Sequence, residues 1–111
     1  MMRLTSLLLF IMLVLTACDT ESPSVIVYAD LPETGDAERG ATIFAQSING
    51  TTPCTGCHIE GARGAPDLVN YGEVASTRVE GQDAREYTFY AIVEPWQHIV
   101  DGYGNAMPAD Y

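Results

Sequence analysis

Two cysteines and a histidine stand together in the run Cys54-Thr55-Gly56-Cys57-His58. In the pattern C-x-x-C-H, two thiols add across the vinyl groups of a haem and the histidine ligates its iron. The spacing has a physical reason. Residues three apart lie on one face of a helical turn, so both sulfurs reach one edge of a flat macrocycle. The residue that follows turns its imidazole toward the metal as the proximal ligand. Two other chemistries use the same residue types. A redox dithiol of the thioredoxin kind needs a βαβ pattern around the cysteines, and none is visible. A structural zinc needs four protein ligands, whereas the chain after Cys18 offers only these two thiols, His58 and His98, with His58 crowded against Cys57. One covalently attached haem c, with its iron, is the cofactor these residues favour.

An iron held by histidine on one side has a second axial position. Met107 is the only methionine after the first twelve residues, and it stands in Ala106-Met107-Pro108 within a glycine-rich stretch without period. A thioether is a soft iron ligand, and the proline stiffens the loop that must hold it. The plainer role is a methionine filling a gap in the core. His98 is the competing ligand, and bis-histidine coordination would lower the potential; otherwise His98 is expected to be partly exposed or to sit by a propionate. A ligating histidine also gives its second N–H to an acceptor that fixes the ring. The loop Gly61-Ala62-Arg63-Gly64-Ala65-Pro66-Asp67-Leu68 follows His58 directly, and the Pro66 carbonyl is the candidate. A plain turn is the alternative.

Helices must position these groups. Asp36 is a plausible N-cap, Glu38 suits the positive end of a helix dipole, and Asn49-Gly50 provides a left-handed stop. Between them Ile43, Phe44 and Ile48 form a stripe of helical period. Gly40 inside that helix costs roughly 1 kcal/mol against alanine, which suggests a close approach to its bare backbone. A second helix is predicted from Gln82 to Glu94, closed by Pro95, with Ala84, Tyr87, Tyr90 and Ala91 on the face turned to the core and the haem. With 111 residues there is room for one small domain, and a haem would supply part of its core.

In this order the motifs resemble a class I c-type cytochrome over residues 35–111. The resemblance is carried by Gly40-x-x-x-Phe44, Cys54-Thr55-Gly56-Cys57-His58, Pro66-x-Leu68 and Met107-Pro108. It implies an all-α, cytochrome c-like fold around the haem. Cys54 and Cys57 then hold the group, His58 and Met107 are the axial ligands, the Pro66 carbonyl orients His58, and Leu68 completes the Pro66 motif. It also implies a helix after the methionine that crosses the first helix at Gly40 and Phe44. The sequence stops four residues beyond Met107, so the domain is expected to be incomplete at its C-terminus, as a fragment or with a borrowed helix. The expected role is a non-enzymatic carrier of single electrons between respiratory or other redox partners. The alternatives are a five-coordinate haem domain that binds gas or peroxide, and a subunit of a larger oxidoreductase.

The chain opens on an address. Arg3 precedes nine apolar residues, Leu7 to Leu15, too few for a membrane-spanning helix, which needs about 20. Leu15-Thr16-Ala17-Cys18 resembles the lipobox of bacterial lipoproteins, which implies a signal peptide over residues 1–17 and a lipidated Cys18. An ordinary secretory signal with an incidental cysteine is the alternative. Residues 18–34 read as the tether, in which Val25-Ile26-Val27-Tyr28 is either a short strand or a segment lying against the domain. Export agrees with haem attachment outside the cytoplasm and places the protein on the outer face of the cytoplasmic membrane. From Cys18 onward there are four arginines, no lysine and fifteen acids. That balance excludes nucleic acid and favours redox partners with a basic docking face. Cys18→Ser is expected to release the protein from membranes or stall its processing, read by fractionation. Normal processing with unchanged membrane binding would refute the lipobox reading.

Overall fold

The computed structural model describes residues 26–109. The expected signal peptide, Cys18 and the tether as far as Val25 lie outside the described residues, as do Asp110 and Tyr111. Among the described residues there are three α-helices: α1 (Ala37–Phe44), α2 (Tyr71–Ala75) and α3 (Ala84–Val93). Two single 3₁₀ turns, Tyr28–Asp30 and Cys54–Gly56, complete the regular structure, and no strand occurs among the described residues. The class is all-α.

The Asp36 carboxylate accepts the Arg39 N–H at 2.9 Å and so caps α1, with Glu38 in its first turn. The helix ends at Phe44 instead of running to the left-handed pair Asn49 and Gly50, whose φ angles are 50° and 82°. Side-chain bonds explain the early stop. Ser47 Oγ donates to the Thr51 carbonyl at 2.5 Å, and Thr51 Oγ1 and its N–H both reach the Ile48 carbonyl, at 2.5 and 2.8 Å. Hydroxyls that bond locally to the backbone offer it an alternative to the helical ladder. Ile48 is thereby carried out of the helix that holds Ile43 and Phe44. No residue of α1 is buried, and a Cβ placed on Gly40 would meet nothing within 4 Å. No described residue makes the close approach that this glycine suggests.

The Asp83 carboxylate accepts two orphan donors at the start of α3, the N–H groups of Arg85 and Glu86, at 2.9 and 2.8 Å. The helix stops before Pro95, with the Glu94 N–H on the Tyr90 carbonyl at 2.8 Å. Helix α2 is short and follows Asn70, which takes φ 55°. Nothing in the apolar pattern of the sequence marks it. It packs on α3 through the Tyr71 and Tyr87 rings, 6.5 Å apart, and through a 3.1 Å bond between the hydroxyls of Tyr71 and Thr88. The buried hydrophobic side chains are Ala75, Tyr87 and Ala65, with Ala75 wholly enclosed. Of the face predicted for α3, Tyr87 is buried, while Ala84, Tyr90 and Ala91 are half-buried.

The described end of the tether is docked. Tyr28 sets its ring against Phe89 and Tyr90, with centroids at 5.7 and 6.4 Å. The Arg85 guanidinium donates to the Glu33 carbonyl at 3.2 Å and to the Pro32 carbonyl. The segment therefore lies against the domain as a 3₁₀ turn and not as a strand, with Ile26 and Val27 exposed.

Burial pushes the Tyr87 phenol above its ordinary value; Tyr71 adds to the rise and Arg78 opposes it. An acid raised in this way contributes stability that is fully present below its unfolded value of 10.0 and is lost as pH rises through the higher folded value. Thermal unfolding should therefore show stability falling from about pH 10 upward, and falling less steeply in Tyr87→Phe. Equal slopes in the two proteins would count against this role for Tyr87.

Candidate metal centre

Cys54 to His58 fold as one tight turn. The Gly56 N–H donates to Pro53 O at 2.8 Å, and the Cys57 and His58 N–H groups both donate to Cys54 O, at 3.2 and 2.8 Å. Both thiols are free; Cys54 is half-buried and Cys57 exposed. A Cβ on Gly56 would sit 2.7 Å from the Thr52 methyl carbon, because the chain before the turn passes close to its third residue. That contact is the local reason for the glycine.

His58 is fixed by the next loop. Its Nδ1 lies 2.9 Å from the Pro66 carbonyl oxygen, with both residues half-buried. A carbonyl has no proton to give, so Nδ1 donates. In the neutral ring this leaves Nε2 with its lone pair, which is the tautomer a metal ligand requires. The acceptor is itself held in place. Gly61, at φ 77°, lets the loop reverse, and the Ala62 N–H closes it on Ile59 O at 3.0 Å. Ala65, one of the three buried hydrophobic residues, anchors the chain directly before Pro66. Beyond it, the Asp67 carboxylate accepts the Val69 N–H at 2.8 Å, and Leu68 O accepts the Tyr71 N–H at 3.1 Å. The Pro66–Leu68 segment thus leads straight into α2 and the small core.

Cys54, Cys57, His58 and Pro66 are gathered into one site. Met107 is half-buried in the irregular segment that follows, where the Ala106 N–H reaches Gly104 O at 3.0 Å, and no hydrogen bond links it to His58 or Pro66. His98 is exposed, and its ring meets Tyr87 edge-on at 5.8 Å. It helps line a small cleft of about 110 Å³ along α3, with Val79, Tyr87, Tyr90 and Glu94, a cleft lined by none of Cys54, Cys57 and His58. Its packing on Tyr87 was not legible in the sequence, where His98 carried no flanking pattern.

The donor set can be tested against both metal chemistries. Among the described residues no three His, Cys, Asp or Glu side chains converge on a point, as a structural zinc would require. Two free thiols on a single turn, with an imidazole whose Nε2 carries the lone pair, instead fit a planar group attached at its edge and ligated through its iron. No family model matches the chain, and no curated protein and no solved structure matches it either.

Gly56→Ala should cost about 0.5–1.5 kcal/mol of stability by pushing the exposed Thr52 side chain off its rotamer. Thr52→Ser removes the obstructing methyl and keeps the hydroxyl, so the double variant should recover most of that loss. A cycle of thermal unfolding measurements on the four proteins checks this: coupling of at least about 0.5 kcal/mol is expected, and strict additivity would refute it.

Proposed function

We propose that this chain is a membrane-anchored, monohaem c-type electron carrier. The observation that carries the reading is the 2.9 Å bond from His58 Nδ1 to the Pro66 carbonyl, made by a histidine directly after a C-x-x-C turn. Cys54 and Cys57 would hold haem c through thioether bonds, and His58 Nε2 and Met107 would ligate the iron. When bound, the group supplies a one-electron Fe(III)/Fe(II) couple.

The residues of the chain do the rest. The Pro66 carbonyl holds the His58 proton on Nδ1 and fixes the plane of the ring, so the ligand does not reorient between oxidation states. Hydrogen bonding from Nδ1–H also raises the basicity of Nε2 toward the metal. Pro108 restricts the backbone next to Met107, which would limit the positions open to a soft, weakly basic ligand. With His58 and Met107 both holding the iron, the group would supply electron transfer and not substrate turnover. The exposed Cys57 lies at the protein surface, where electrons would enter and leave. The four arginines against fifteen acids after the expected cleavage site favour a partner with a basic face. Anchoring through Cys18 would keep the exchange on the outer side of the cytoplasmic membrane.

Denaturing the protein in acidified organic solvent tests the attachment. The colour is expected to stay with the chain, and to be lost from Cys54→Ser/Cys57→Ser. Met107→Ala should lose the weak far-red sulfur-to-iron band of the oxidised protein, lower the potential, and admit carbon monoxide or cyanide. Haem that extracts freely from the wild type would overturn the proposal, and a wild type that binds carbon monoxide rapidly would replace it with a five-coordinate site for gas or peroxide.

A further inference from the structure

We infer that Arg85 and Tyr28 clasp residues 28–33 to α3 and so shorten the membrane leash, holding the domain close to the bilayer. This rests on the reading of Cys18 as the lipid attachment site and extends it to the height above the membrane at which the domain meets a partner.

The observations are two independent contacts on one helix. The Arg85 guanidinium is planar and presents its N–H groups as a fork, and it uses two of them on successive backbone carbonyls, Pro32 and Glu33. These bonds join residues 52 and 53 positions apart in the chain. One turn further along α3, Phe89 and Tyr90 receive the Tyr28 ring, itself held in a 3₁₀ turn whose Asp30 N–H bonds to Val27 O at 3.0 Å. Pro32 adds stiffness between the two contacts. Residues 28–33 therefore belong to the folded domain, although by composition they read as linker.

Chain length then sets the reach. Only about ten residues separate Cys18 from Tyr28, and at ~3.6 Å each they span at most ~36 Å when fully extended. Without the clasp, the free length would run from Cys18 to the start of α1, about eighteen residues, with an extended reach of ~65 Å. The clasp removes nearly half of that reach and turns the side of the domain bearing Tyr28 and α3 toward the bilayer. Electron exchange then takes place within that distance of the bilayer.

The test uses the full, lipidated protein on supported bilayers and vesicles of phosphatidylethanolamine and phosphatidylglycerol. Neutron reflectometry gives the height of the domain, and a glutamate-specific protease reports on the bond after Glu33, whose carbonyl the clasp holds. The double variant Arg85→Gln/Tyr28→Ala, which loses both contacts, should raise the mean height by roughly 5–6 Å. Cleavage after Glu33 should be about ten-fold or more faster in the double variant than in the wild type, with each single variant between the two. Tyr28→Phe, which keeps the ring, should behave as the wild type. Equal heights and equal cleavage rates across the set would overturn the inference, and so would a wild type that does not attach to the bilayer. Neither readout depends on the haem or its potential. A failure of the leash is therefore distinguishable from a failure of the electron-carrier reading, which the solvent extraction and the spectrum report.

Discussion

A proton on His58 Nδ1, given to the Pro66 carbonyl, connects everything else in the site. Backward in sequence, it sets the orientation of a ring whose backbone N–H already closes the turn begun by Cys54. Forward, it ties the turn to the loop that runs through buried Ala65 into α2, and from α2 to α3 by way of Tyr71 and Tyr87. Neutral hydrogen bonds contribute only about 1 kcal/mol net, so its importance lies in direction more than strength. It selects one tautomer and one ring plane, and without it the three reactive side chains would share a turn but not a geometry.

Around this bond the protein commits very little apolar surface to its own interior. Among the described residues the buried side chains are those of Ala65, Ala75, Tyr87 and Pro95, while Ile59, Val69, Trp96 and Ile99 stand largely exposed. A chain of this size buries a modest fraction of its surface in any case. In such a domain a flat apolar cofactor joined to Cys54 and Cys57 would contribute contacts as well as chemistry. The same economy explains the docked N-terminal segment: Tyr28 covers Phe89 and Tyr90.

What the sequence made legible was local. Asp36 announced a helix start because a cap needs only the next three residues, and Pro95 announced a stop for the same kind of reason, whereas the helix predicted from Gln82 begins two residues later behind an Asp83 cap that went unread. The C-x-x-C-H turn and its Pro66 acceptor lie within thirteen residues, and their relation could be read from spacing and from the chemistry of a ligating histidine. The end of α1 was misread because Ser47 and Thr51 have no helical period to break, yet their hydroxyls redirect the backbone at Ile48. The five residues of α2 were missed for want of an apolar stripe. Arg85 on the Pro32 and Glu33 carbonyls was out of reach altogether, since backbone acceptors carry no mark in the sequence.

The contrast in range between these contacts has a consequence for how the protein is made. The Cys54–His58 turn closes through bonds that span at most four residues, whereas the Arg85 clasp spans more than fifty. Closing a short local turn takes on the order of nanoseconds to microseconds, and distant segments meet later because a longer loop carries a larger entropic cost. The cysteines and the histidine are thus arrayed while most of the chain is still open, where a cofactor would find them before the domain closes. Tertiary packing then comes last, where Arg85 and Tyr28 join the two ends of the folded segment.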